Sequence, residues 1–280
     1  MNPNRYTILT VTTLIIAGLA AAASAGGLFA AAIYRGSVFV NTAFRGNDIV
    51  TLFAAVPLLL TALWFSRRGM LRWQLVWMGL IGYMLYNYAF YLYGADFNLF
   101  FLAYVTLFTL SIYTLVFGLS GFDASDTARL FSHKTPRKWI SGWMFFFGLF
   151  LGGLWVARSI GIMTTLATLA PGQIPQDIVQ FGNPTAVVYA TDLSLLIPAL
   201  LLGAFLLWQS KPWGYILSSV ILIKACTYGL VMLVMTAYAF FMTGKGDNLT
   251  PLWAFLTVGC FVSAFSLMRH LNSSPNKILV

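Results

Sequence analysis

One lysine, Lys224, stands in the middle of an apolar run that extends from Trp213 to about residue 242. Eleven residues separate it from Trp213, about 16 Å at the 1.5 Å rise of a helix, so its amine does not simply reach back to a lipid headgroup. An ammonium at that depth costs at least about 2.5–3.5 kcal/mol on insertion scales, and such residues pair, face a wet cavity or lose their proton. Depth selects Asp192 as the partner: it lies about 9 Å below the start of its own apolar run near Ala186, within reach of a long side chain one helix away. A structural ion pair is the plainer reading of the two residues. A coupling site for protons, ions or solute is the functional one.

Asp192 also belongs to a spacing that occurs twice. Asp48 opens a run that closes in Trp64-Phe65-Ser66-Arg67, and Asp192 opens one that closes in Trp208-Gln209-Ser210-Lys211, with tryptophan, serine and base at the same three intervals. Other coincidences accompany it. Trp73 and Trp213 each precede a tyrosine, Tyr88 and Tyr228, by fifteen residues, and Gly94-x3-Asn98-Leu99 matches Gly244-x3-Asn248-Leu249. Gly26-Gly27-Leu28 matches Gly152-Gly153-Leu154. The lysine breaks the pattern, because its counterpart is Met84. Asp48, beside Asn47 at the expected start of its helix, reads as an N-cap.

A second polar set comes from Tyr83, Asn87 and Tyr91, whose four-residue spacing puts them on one helix face, with Tyr86, Tyr88 and Tyr93 crowding the same turns. Interhelical packing accounts for them in the ordinary case, and a cavity lining for a small polar ligand or a cation is the alternative. Thr227 and Tyr228 follow Lys224 by three and four residues and so share its wall. Arg158 reads either as a partner for one of the aspartates or an anion, or as an interfacial base.

These residues need a membrane to hold them. Hydrophobic residues make up 60% of the 280, charged residues only 8%, and the mean hydropathy is +0.83, whereas a soluble domain is about a quarter charged. At about 20 apolar residues per crossing, eight stretches qualify: roughly 7–33, 48–66, 71–93, 98–120, 139–161, 186–208, 213–242 and 250–269. The first is too long for the core of a signal peptide and is read as a mature helix. Pro57 and Pro198 fall inside the second and sixth stretches and predict kinks.

The formal charge of +9 sets topology rather than marking nucleic-acid binding. Cytoplasmic termini place Arg5, Arg67, Arg68, Arg72, Arg129, Lys134, Arg137, Lys138, Lys211, Arg269 and Lys277 inside, the bias expected of such proteins. Arg35, Arg45, Arg158 and Lys245 remain outside. The charged connection GFDASDTARLFSHKTPRK divides the helices four and four. An even number in each half makes a parallel repeat. The long connection near residues 158–185 carries Ile174, Ile178, Val179 and Phe181, which suit an interfacial segment.

Several chemistries find no residues. His133 and His270 lie in loop segments, no His/Cys/Asp cluster has metal-ligand spacing, and no phosphate-cradling glycine loop follows a strand. Cys226 and Cys260 fall within helices and read as buried small thiols. The aspartate that microbial rhodopsins carry four residues before their retinal lysine is Val220 here. No cofactor is expected, and catalytic acids and bases are few.

Gly46-Asn47-Asp48-Ile49-Val50, Leu85-Tyr86-Asn87-Tyr88 and Lys211-Pro212-Trp213-Gly214-Tyr215 resemble stretches of uncharacterised multi-pass bacterial inner-membrane proteins. The resemblance implies a bacterial cytoplasmic membrane and carries no activity.

The sequence therefore predicts an all-α integral membrane protein of eight transmembrane helices in two parallel four-helix repeats, 1–121 and 139–280, joined by a cytoplasmic linker at 122–138. The expected site lies between the halves toward the outer side, with Asp48, Asp192, Lys224, Arg158, Asn87, Tyr91, Thr227 and Tyr228. Transport or channelling of a small polar or charged solute is the first functional reading. The alternatives are a sensor, assembly factor or subunit of a homo-oligomer or larger complex, and, behind it, an enzyme acting on a lipid or quinone.

Overall fold

The computed structural model describes residues 3–30, 33–36, 38–170, 172–173, 186–244 and 246–272. The expected interfacial segment at 174–185, Lys245 and Lys277 lie outside them. Among the described residues, eight helices are long and apolar enough to cross a bilayer. In chain order they are α1 (Pro3–Phe29), α2 (Val38–Val50, continuing through Thr51–Ala55 into Val56–Ser66), α3 (Leu71–Gly94), α4 (Phe101–Leu119), α5 (Arg137–Thr168), α6 (Val187–Thr191, continuing through Asp192–Leu196 into Ile197–Trp208), α7 (Pro212–Thr243) and α8 (Thr250–Arg269).

The breaks between helices follow local chemistry. Gly69, at φ 75°, turns the chain from α2 into α3, a backbone conformation that costs glycine nothing. Pro212 starts α7 where its missing N–H would have had no partner. Gly244, at φ 68°, stops the same helix in the left-handed conformation of a C-terminal cap.

α2 and α6 share an irregularity. In each, one turn of π-helix, Thr51–Ala55 or Asp192–Leu196, leads into a segment whose second residue is proline, Pro57 or Pro198. The widened turn closes through Val56 N–H to the Thr51 carbonyl and Ile197 N–H to the Asp192 carbonyl. A proline cannot supply the next α-helical hydrogen bond, and the wider turn accommodates that loss without breaking the helix.

α7 is the hub. It packs against α2, α3, α6 and α8, while α5 packs on α6 and α1 on α4 and α2. The α3–α7 approach depends on Gly79, where a Cβ would come 2.6 Å from the Cβ of Ile223 and 3.1 Å from the Val220 carbonyl. α1 is tied in by hydroxyls: Trp77 donates to Thr13 at 3.0 Å, Thr114 to Thr12 at 2.9 Å, and Tyr6 pairs with Ser66 at 3.1 Å. At the end where α8 stops, the linker packs on that helix, with Phe131 bridging Leu271 and Arg72 donating to the Leu271 carbonyl at 3.1 Å. The linker itself holds a short helix, Ala124–Arg129, capped by Asp123.

The expected boundaries hold closely except at α2, which begins ten residues before Asp48. Its first turns, Val38 to Asn47, mix apolar residues with Asn41, Thr42, Arg45 and Asn47 and read as a loop. Packing overrides that composition, because Gly46 lets the helix lie directly on the backbone of Met235 in α7. α5 also runs to Thr168.

Candidate functional site

Lys224 is 6% exposed, and its Nζ has no hydrogen-bond partner. The ammonium sits over the ring of Tyr86, 3.3 Å from its centre, with the ring of Tyr228 5.0 Å away. Those two rings meet edge to face at 4.7 Å. An aromatic face offers a buried cation a stabilisation of about 2 kcal/mol but no proton acceptor. The amine is thus held against two rings with no hydrogen-bond acceptor.

Asp192, 5% exposed, is fully engaged. Its Oδ1 accepts from the Tyr86 hydroxyl at 2.5 Å and its Oδ2 from Trp155 Nε1 at 2.7 Å. The residue opens the π turn of α6, and Trp155 reaches it from α5. Arg158, one turn further along α5 and exposed, holds its guanidinium 6.0 Å from the centre of the Trp155 ring. The order is therefore Arg158, Trp155, Asp192, Tyr86, Lys224. It runs from an exposed base to a buried one through one carboxylate.

The expected direct pair between Lys224 and Asp192 does not form. Among the described residues the ion pair within contact distance is Arg129–Asp126, an exposed pair one helical turn apart. Tyr86 donates its hydroxyl to the carboxylate and presents its ring to the lysine.

Asp48 anchors a separate network. It is 1% exposed and lies ten residues into α2, about 15 Å from the helix start, so the N-cap reading is overturned. Its Oδ2 accepts from the Tyr34 hydroxyl at 2.6 Å and its Oδ1 from the Tyr91 hydroxyl at 2.8 Å. Burial, and then the adjacent carboxylate, push the pKa of the Tyr34 phenol up and keep it a donor. Gly27 is required here, since a Cβ would overlap the Asp48 carboxylate and the Tyr34 hydroxyl. Beside it, Asn47 donates to Asn87 at 2.7 Å, and Thr51 pairs with Tyr83 at 2.7 Å.

The sequence-predicted residues thus divide. Asp192, Lys224 and Tyr228 come together, and Arg158 joins them only through Trp155. Asp48, Asn87 and Tyr91 belong to the first half of the chain and share none of those partners. Thr227 donates its hydroxyl back to the Ile223 carbonyl at 2.9 Å within α7. Tyr86, Trp155 and Tyr34 carry the contacts that sequence reasoning did not assign. Tyr86 stands in the crowded tyrosine run of α3, about 100° round the helix from Asn87 and so off the four-residue stripe. Trp155 lies three residues before Arg158, a helical spacing that could have flagged it.

α3 serves both carboxylates. Tyr91 holds Asp48 and Tyr86, five residues earlier, holds Asp192. The Lys224 cluster therefore draws Tyr86 from the first half of the chain and Asp192, Lys224 and Tyr228 from the second. Among the described residues no group of three or more His, Cys and Asp side chains is placed to hold a metal.

Fold and site together define a multi-pass α-helical membrane protein with, among the described residues, two buried carboxylates and one buried lysine. No known protein family, no curated protein and no solved structure matches the chain.

Proposed function

We propose that the protein moves a small polar or charged solute across a bacterial cytoplasmic membrane, with both termini in the cytoplasm, and that the solute or its coupling ion engages Lys224. The observation that carries the reading is the unpartnered Nζ of Lys224. A buried ammonium with no acceptor is costly, and a folding requirement alone would have matched it to Asp192 directly. Intramembrane ionisable groups of this kind mark solute and ion pathways.

The proposed architecture is two parallel four-helix repeats. A π turn followed by proline in both α2 and α6 supports it, although the two are three residues out of register with the aspartate spacing, as does the meeting of the third helix of each half, α3 and α7, at Gly79. Transporters of this kind bind at the repeat interface near the mid-plane, and the contact of Tyr86 with Lys224 crosses that interface.

The test is uptake into proteoliposomes from a panel of small anions, cations and zwitterions, compared with Lys224→Met and Asp192→Asn. Uptake by the wild type that falls at least tenfold in both variants supports the reading. Co-purification of a stoichiometric partner with no flux of any solute would favour a complex subunit instead.

A further inference from the structure

We propose that the cation exchanged at this site is the proton, bound at Asp192, and not an alkali metal ion. The inference deepens the transport reading and rests on it for its purpose, but its chemistry comes from the donors around the carboxylate. Both oxygens of Asp192 accept hydrogen bonds, one from the Tyr86 hydroxyl and one from Trp155 Nε1. An indole N–H is a donor only, so it cannot turn a lone pair toward a metal ion. A sodium site in a membrane helix is assembled from unwound backbone carbonyls. Here the π turn keeps its closing bond, Ile197 N–H to the Asp192 carbonyl. Pro198 also withholds the α-helical donor of the Ser194 carbonyl, and Ser194 is exposed rather than turned into the site.

A proton needs none of those ligands. It binds one carboxylate oxygen, converting Asp192 from carboxylate to carboxylic acid, and the Tyr86 hydroxyl turns from donor to acceptor to keep the contact. One proton enters, no bond to carbon changes, and the Lys224–Asp192 set gains one positive charge. The groups that face Lys224 are few: Asp192 from α6, Tyr86 from α3, Tyr228 from its own helix and Cys260 from α8. Arg158 stands behind Trp155. Among the described residues Asp192 is thus the carboxylate whose charge acts on the lysine, and neutralising it removes the counter-charge of the ammonium. Proton binding at Asp192 and retention of charge at Lys224 oppose each other, the antagonism that a coupled exchanger requires.

The experiment is charge displacement on a solid-supported membrane carrying the full-length protein, without any solute, after a pH jump or after a sodium or potassium jump at constant pH. The expected result is a displacement on the pH jump, lost in Asp192→Asn, and none on the salt jumps. In Lys224→Met the displacement persists with its midpoint moved to higher pH by about one unit or more, because an opposite charge that favoured the carboxylate is gone. If Asp192→Asn does not fold, Trp155→Phe must move the midpoint in the same direction. A salt-evoked displacement lost in Asp192→Asn overturns the inference, as does a pH-evoked one unchanged in that variant. Solute flux in the wild type with no pH-evoked displacement also overturns it and leaves the transport reading standing. A proton displacement with no flux of any solute overturns the transport reading alone.

Discussion

Tyr86 lies under Lys224, its ring centre 3.3 Å from Nζ, while its hydroxyl donates to Asp192 at 2.5 Å. One side chain thus takes the place of a direct ion pair. It couples the two charges without letting them neutralise each other by contact, and it comes from the opposite half of the chain. This separates two functions of the tyrosine, ring and hydroxyl, that substitution can remove one at a time.

Tyr86→Phe keeps the shelf and removes the hydroxyl. Unfolding in detergent is expected to show a loss of about 0.6–1.7 kcal/mol, the range of interhelical hydrogen bonds inside membranes. Tyr86→Leu removes the ring as well and is expected to lose up to about 2 kcal/mol more from the cation–π contact. Equal stability of the two variants would show that the ring contributes nothing to holding the lysine.

Lys224→Met should separate stability from activity. Burying the ammonium costs about 2.5–3.5 kcal/mol, the aromatic contact returns about 2 kcal/mol and the attraction to Asp192 about 1.4 kcal/mol per pH unit of its midpoint, so the methionine variant stays within about 1 kcal/mol of the wild type. Its unfolding midpoint is expected to stay close to that of the wild type while solute flux is lost. A large fall in stability would mean that the lysine is a structural element.

The Asp48 network is expected to behave as architecture. Asp48→Ala strips the acceptor from two buried hydroxyls, Tyr34 and Tyr91, and each orphaned donor costs about 1–3 kcal/mol. Asp48→Asn retains one acceptor oxygen and should lose about half as much. Thermal unfolding of both variants in the same detergent checks the ordering.

The paired glycines give an internal control. At Gly27 a Cβ would overlap the Asp48 carboxylate, whereas at Gly153 it meets nothing within 4 Å. Gly27→Ala is expected to destabilise by about 1–3 kcal/mol through overpacking, and Gly153→Ala to stay within about 0.5 kcal/mol of the wild type. Similar effects at both sites would contradict the assignment of Gly27 to the carboxylate.

The eight helices were legible because twenty-residue apolar runs have few other uses, and Lys224 and Asp192 stood out because charge in such runs is rare. The start of α2 was not legible, since the polar residues of its first turns become acceptable only once α7 covers them. The matched spacing of Asp48 and Asp192 to their tryptophans was real but concealed a difference. Measured to the kinking proline, Asp48 lies nine residues before Pro57 and Asp192 six before Pro198, so the two carboxylates enter different surroundings. Asp192 opens its π turn, while Asp48 lies three residues ahead of the other. Tyr86 was hidden for a related reason: a contact between halves leaves no periodicity in either helix.

Solute uptake by proteoliposomes containing the wild type, Lys224→Met and Asp192→Asn tests the central claim most directly, with each variant first confirmed as folded and monodisperse. The account predicts uptake by the wild type and at least a tenfold loss in both variants. Undiminished uptake in both would contradict the assignment of the site to Lys224 and Asp192.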